Sequence, residues 1–427
     1  MTAEIAVYNK SAVALAADSA VTISGGGKQK IYNGAEKLFA LTKHHPVGVM
    51  VYGSGDLCSA PWELVIKAYR RKLDRDHFDR LEDYADDFFE FLESATSIVT
   101  AGMREAHLYQ YLSESVFNLL IESFAAKKED TYWTPLDHPV FFTELEEYCL
   151  ELLEHLSNTE FLDTFSADDL DEAREYCNEV TVRIIAEKLS GIPTDEIPDS
   201  FTNAICNIFA AMVCKINDLG NATGIVFAGY GEHDFYPKVL SFEVCGFFNN
   251  KVRRFINPHK CSTSGESGVT PFAQDEEVGA FMQGASSTLI GELHSEYQNS
   301  IRNLLDGIDE VITNMVPNDK LEGAQNAIVE LVNSTVAECD QRISNFVHEN
   351  YVRKVVDMIK FLPKQDLAYM AESLVNLTAF KRKVSDDSET VGGPIDVAVI
   401  SKADGFIWVK RKHYFVKELN HHYFSQS

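Results

Sequence analysis

Strand-like and helix-like segments come in large alternating blocks along this chain, and that order sharply restricts the folds open to it. Ile5 to Tyr8 and Val13 to Ala17 are short β-prone runs around a turn-like Asn9-Lys10-Ser11. Gly25-Gly26-Gly27 marks a loop. Lys37 to Leu41 and Val47 to Tyr52 read as two further strands, closed by Gly53-Ser54-Gly55. From about Pro61 to Asp218 the apolar period becomes helical, with Leu145, Tyr148, Cys149, Leu152 and Leu153 at three- and four-residue spacing. Thr134-Pro135 and Ile192-Pro193 break that stretch into several helices. Strands return at Gly224 to Gly229, Lys238 to Cys245 and Lys251 to Ile256. A second helical block follows from Asp275 to about Phe380. Its Val278, Phe281, Met282, Ile290, Leu293, Tyr297, Ile301, Leu304 and Leu305 trace one face, which predicts a core or helix-pairing surface. Ile395 to Ser401, an Asp404-Gly405 turn and Phe406 to Lys410 predict a closing hairpin. An order of strands, helices, strands, helices, strands suits an α+β fold of stacked antiparallel sheets with helices outside. It divides the chain into a discontinuous core (1–60, 219–274 and 390–427), an acidic helical insertion (61–218) and a second helical block (275–389).

Charge narrows the partners. The net charge is −27, and residues 61–217 hold 33 acidic against 13 basic side chains, so that stretch alone contributes −20. Nucleic acid and anionic membranes are therefore not expected as partners. The eight cysteines are scattered without a C-x-x-C pair, as expected of free thiols in a reducing cytoplasm. No apolar run reaches the roughly 18 residues that a membrane span needs. Gly25-Gly26-Gly27-Lys28 lacks the frame of a phosphate-binding loop. His44-His45 and His421-His422 are adjacent pairs, and His259 with Cys261 lacks further ligands, so neither a metal nor another cofactor is expected.

The chemistry-bearing pattern begins at the N-terminus. Met1 precedes Thr2 and Ala3, small residues that allow removal of the initiator. Thr2 would then carry a hydroxyl nucleophile and a free α-amine as its base. Such an amine titrates near about 7.7–8.0, so a neighbouring lysine cation, held by an aspartate, helps keep it unprotonated. Asp18 ends the second strand, Lys37 opens the third, and Gly53 follows the fourth, where a backbone N–H can meet an oxyanion.

In this order and spacing, Thr2, Ala16-Ala17-Asp18, Lys37-Leu38-Phe39 and Gly53 with Gly55-Asp56 resemble the opening of a proteasome β-type subunit, an N-terminal-nucleophile hydrolase. Phe227-Ala228-Gly229-Tyr230-Gly231 is similar to that family's central hairpin, and Gly392-Gly393-Pro394-Ile395-Asp396-Val397 to its final strands. The likeness covers about 140 residues of the 427. It implies a four-layer αββα sandwich with both helix-pair positions expanded, and a threonine-type peptidase acting on peptides or unfolded proteins. It further implies a homo-oligomer, since family members stack into rings. Thr2, Asp18, Lys37 and Gly53 would be catalytic. Thr22 and Tyr52 would line a peptide groove, while Val21, Ala35, Val51 and Gly55 would shape a pocket for a hydrophobic residue before the scissile bond.

The chain also departs from that pattern. The family's glycine-serine-rich segment, whose serine supports the N-terminal amine, is replaced by Thr270-Pro271-Phe272-Ala273-Gln274. Its second supporting aspartate and serine are missing before Gly392, where Ser388 and Val391 stand and Asp387 or Thr390 are the nearest substitutes. Two other readings stay open for that reason. One is a catalytically silent scaffold that presents its helical blocks to a partner. The other is an N-terminal-nucleophile amidase acting on a small molecule.

Overall fold

The computed structural model describes residues 3–25, 28–127, 138–217, 219–220, 222–315, 317–384 and 391–420. Strands β1 (Glu4–Asn9) and β2 (Ala12–Ala17) are followed by the hairpin β3 (Ala20–Gly25) and β4 (Lys28–Asn33), then β5 (Leu38–Ala40) and β6 (Val47–Gly53). A small hairpin, β7 (Asp56–Leu57) and β8 (Ala60–Pro61), leads into α1 (Trp62–Leu73), α2 (Leu81–Ser94) and α3 (Ala101–Gln110). A π-helical turn, Tyr111–Phe117, joins α3 to α4 (Asn118–Lys127); α5 (His138–Ser157), α6 (Ala167–Lys188) and α7 (Asp199–Cys214) come next. β9 (Thr223–Gly229), β10 (Lys238–Phe248), β11 (Lys251–Ile256) and β12 (Gly268–Ala273) precede a second run of helices. These are α8 (Glu276–Gln283), α9 (Ser287–Met315), α10 (Asn318–Val347), α11 (Arg353–Ile359) and α12 (Lys364–Val384). β13 (Asp396–Ser401) and β14 (Gly405–Lys410) close the chain. The class is α+β with antiparallel sheets, as the block order predicts. The 20–33 hairpin and β12 are strands that the sequence reading lacks. The break at Thr134-Pro135 lies outside the described residues.

The chain folds into two compact units. The first contains the five-stranded sheet β12-β1-β2-β13-β14, and β1 pairs antiparallel with both β2 and β12. Small side chains explain how α12 sits on it: Ala12, Ala14 and Ala16 leave room for Leu367, Ala368, Ala371, Leu374 and Val375 to pack close to the strands. All six residues of β1 and of β2 are buried. Buried Asn9 fixes the first turn. Its side-chain amide donates to the Ile359 and Leu362 carbonyls at 2.9 Å each, satisfying groups at the end of α11, while its oxygen accepts from the Ser11 amide. Pro271 is tolerated within β12 because that strand is an edge and its pairing with β1 shifts register between Glu4 and Ile5.

The apolar stripe of the second helical block is divided. Ile290, Tyr297, Ile301 and Leu305 are half-buried, whereas Leu293 and Leu304 stay more than 60% exposed and α9 buries no residue. One helix face meets one neighbour, and the flank beside it is left in solvent.

The second unit holds the sheet β11-β10-β9-β6-β5. Val47, Val49 and Val51 alternate along β6 and, with Ile225 and Phe227 of β9, pack against Trp62 and Ile66 of α1 and Phe88 and Phe89 of α2. A separate apolar cluster joins the π-helical turn, α4, α5, α6 and α7, with Phe142, Phe201 and Phe209 at most 2% exposed. Most of the acidic surplus of residues 61–217 is therefore carried by the segment that builds this second cluster, while α1 and α2 pack on the sheet. Among the described residues no helix is long and apolar enough to cross a membrane.

Candidate functional site

Thr2, the expected nucleophile, lies outside the described residues, as do Asp387, Ser388 and Thr390. Its neighbour Ala3 is buried and doubly tied to Asp18. The Ala3 N–H donates to Asp18 Oδ1 at 3.2 Å, and the Asp18 N–H donates to the Ala3 carbonyl at 3.1 Å. The pairing of β1 with β2, which sets Glu4 opposite Ala17, puts the two residues there. Asp18 Oδ2 accepts from the Gly392 N–H at 2.9 Å and the Ala20 N–H at 3.3 Å. A fully buried carboxylate thus takes three backbone donors, which is how such a charge is sustained away from water. Ser19 extends the clamp: its N–H donates to the Gly392 carbonyl at 3.2 Å, and its hydroxyl donates to the Pro394 carbonyl. This link between the start of the chain and Gly392 is the feature that sequence reading missed.

In the first unit Val21 is half-buried on β3, opposite Tyr32 of β4, and the backbone of Thr22 pairs with Ile31. Across from Glu4 and Ile5 stand Ala273 and Pro271, so the rewritten segment lies directly beside the strand that follows Thr2. Val391 is buried.

In the second unit Lys37 is 5% exposed and precedes β5, where its carbonyl accepts from the Val51 N–H at 2.9 Å. A lysine so deeply buried is exceptional. Gly53 ends β6 opposite Thr223 with φ +83°, and a Cβ there would sit 2.6 Å from the Ala222 oxygen. Glycine is required on both counts. The Trp62 indole N–H donates to the Thr223 hydroxyl at 3.3 Å, fixing the strand end beside Gly53. Ala35 is half-buried and Gly55 exposed, with the Gly55 carbonyl accepting from the Trp62 N–H at 3.1 Å.

One expected pocket residue and one expected groove residue are buried. Val51 belongs to the core under α1 and α2. Tyr52 is buried, its hydroxyl donating to Glu243 Oε1 at 2.6 Å. All eight cysteines are free thiols. Among the described residues no group of three or more His, Cys, Asp or Glu side chains is arranged to hold a metal. Compared with models of known protein families and with curated proteins, the chain finds no match.

Proposed function

We propose that the chain is a proteasome-like threonine peptidase whose nucleophile is Thr2, freed by removal of Met1. The observation that carries this reading is the buried carboxylate of Asp18, which binds the N–H of the residue immediately after Thr2 and anchors it against Gly392. The buried Lys37 and the left-handed Gly53 support the same reading.

In the proposed reaction Thr2 Oγ attacks a peptide carbonyl and the Thr2 α-amine accepts the hydroxyl proton. Lys37 disfavours a second positive charge and so lowers the affinity of that amine for a proton. The Gly53 N–H stabilises the oxyanion. The proton then passes to the leaving amine, and water, with the same amine as base, hydrolyses the acyl-enzyme. In this proposal the fold is a four-layer αββα sandwich, the chain acts in the cytoplasm, and copies associate into a homo-oligomer.

The second reading, a silent scaffold, is favoured by Pro271-Phe272-Ala273, which supply no hydroxyl where the resembled family places a supporting serine. Intact-mass spectrometry with a peptide epoxyketone separates the two. That warhead needs both the threonine hydroxyl and its free α-amine. Loss of Met1 together with one adduct, absent in Thr2→Ala, is the expected result. Retained Met1, or a fully processed chain that forms no adduct, overturns the peptidase in favour of the scaffold.

A further inference from the structure

A cavity of about 410 Å³ lies in the second unit between α3, α6 and the turn that joins β10 to β11. Leu108, Tyr176, Phe247 and Phe248 give it apolar lining, with the Tyr176 ring set edge-on to Phe248 at 5.8 Å between centroids. Two charged side chains, consecutive on α3, line the same cavity: Arg104 and Glu105.

Arg104 is 4% exposed, and its guanidinium carbon lies 3.9 Å from the Phe247 ring centroid. Its Nε donates to the Val99 carbonyl at 3.1 Å. Its Nη2 donates to the Leu92 and Glu93 carbonyls at 3.1 and 3.3 Å, where α2 ends. Those bonds satisfy protons without balancing the charge. Nη1 reaches only Oδ1 of Asn250, another lining residue, at 3.5 Å, the outer limit of a hydrogen bond. Among the described residues no carboxylate forms an ion pair with this guanidinium. Glu93, the acid that acts on it electrostatically, has Oε1 engaged by the Val252 N–H at 3.0 Å. Burial accordingly pulls the Arg104 pKa below the usual arginine value, although the group stays cationic. A buried cation without a counter-charge is costly, and an anion in the cavity relieves that cost.

Glu105 is exposed and has neither a hydrogen bond nor an ion pair among the described residues. The lining thus offers one uncompensated cation, one uncompensated anion and an aromatic surface. A simple carboxylate would meet a like charge at Glu105, and a simple amine would meet one at Arg104. A zwitterion that carries an apolar group suits all three.

We infer that this cavity binds a free α-amino acid with an aromatic or branched aliphatic side chain. Its carboxylate takes the open Nη1 of Arg104 and the Asn250 amide, its ammonium pairs with Glu105, and its side chain lies on Tyr176, Phe247 and Phe248. The site makes no use of Thr2 and stands independently of the proposed peptidase.

Isothermal titration of the whole protein with L-phenylalanine, N-acetyl-L-phenylalanine and L-phenylalaninamide reads the two charges separately. L-Phenylalanine binds at least about tenfold more tightly than either blocked form, a difference of about 1.4 kcal/mol. L-Glutamate and L-lysine bind no better than the blocked forms. Glu105→Gln weakens L-phenylalanine by about tenfold and leaves N-acetyl-L-phenylalanine within about threefold of its wild-type affinity, a split that a merely structural role does not produce. Arg104→Leu removes binding of both. Because Arg104 also holds the end of α2, circular dichroism checks that this variant folds, and the exposed Glu105 variant decides the matter if it does not. No binding of L-phenylalanine up to about 10 mM, where a Kd of about 1 mM is still readable, overturns the inference. So does equal affinity for a blocked form, or a Glu105→Gln protein indistinguishable from wild type. N-acetyl-L-phenylalanine has the chemistry of a peptide C-terminus, and its tighter binding would replace the free amino acid by a peptide end.

Discussion

Replacing Asp18 by asparagine removes an acceptor that three backbone amides share. Asparagine offers one oxygen and turns an NH₂ toward at least one amide that also donates, leaving buried donors opposed. Hydrogen bonds to a buried charge and their unsatisfied remnants are each worth about 1–3 kcal/mol, so Asp18→Asn is expected to cost about 2–4 kcal/mol by urea unfolding. A loss below about 1 kcal/mol would mean that water replaces the carboxylate and that Ala3 is not held by it. Asp18, Lys37 and Gly53 were all legible as residues, because each sits at a strand end whose spacing from Thr2 can be counted. The partner of Asp18 was not. Gly392 lies 374 positions away, and no local pattern reports a contact of that separation.

Strand and helix periods read the elements well where one face is buried and the other is not. β11 matches its expected span, and β1, β2, β6 and β9 differ from theirs by only one or two residues at their ends. β12 escaped because Pro271 argues against a strand unless the edge position and the register shift are known. The 20–33 hairpin escaped because its strands are short and flank a glycine run that reads as a loop. In α9 the period was right, but periodicity cannot say whether an apolar stripe finds a cover. α7 buries eleven of its sixteen residues and α9 none. Amide hydrogen exchange should therefore be faster in α9 than in α7 by several orders of magnitude, since local opening of α9 exposes little new apolar surface. Comparable protection would show that the Leu293 and Leu304 flank is covered in solution, for instance by a second copy.

At the scale of the whole molecule the charge sets the response to salt. Within residues 61–217 the 33 acids outnumber the thirteen cations by twenty, and Lys238, Lys251 and Arg254 from outside that stretch pair with Glu82, Asp169 and Asp163 and so offset only part of the surplus. Salt acts on both populations. It weakens pairs such as Lys238 with Glu82 and Asp234, at 3.0 and 2.9 Å, and it screens repulsion among the surplus acids. Short, partly buried pairs are screened least, whereas exposed acids separated by about a Debye length are screened most. Repulsion should therefore lose more than attraction does. Raising NaCl from about 0.02 to about 0.3 M, which shortens the Debye length from roughly 20 to roughly 6 Å, should raise Tm by about 2–4 °C. A Tm that is flat or falls across that range would mean the ion pairs outweigh the surplus. The acidic helices would then be stabilised by their charges instead of tolerating them.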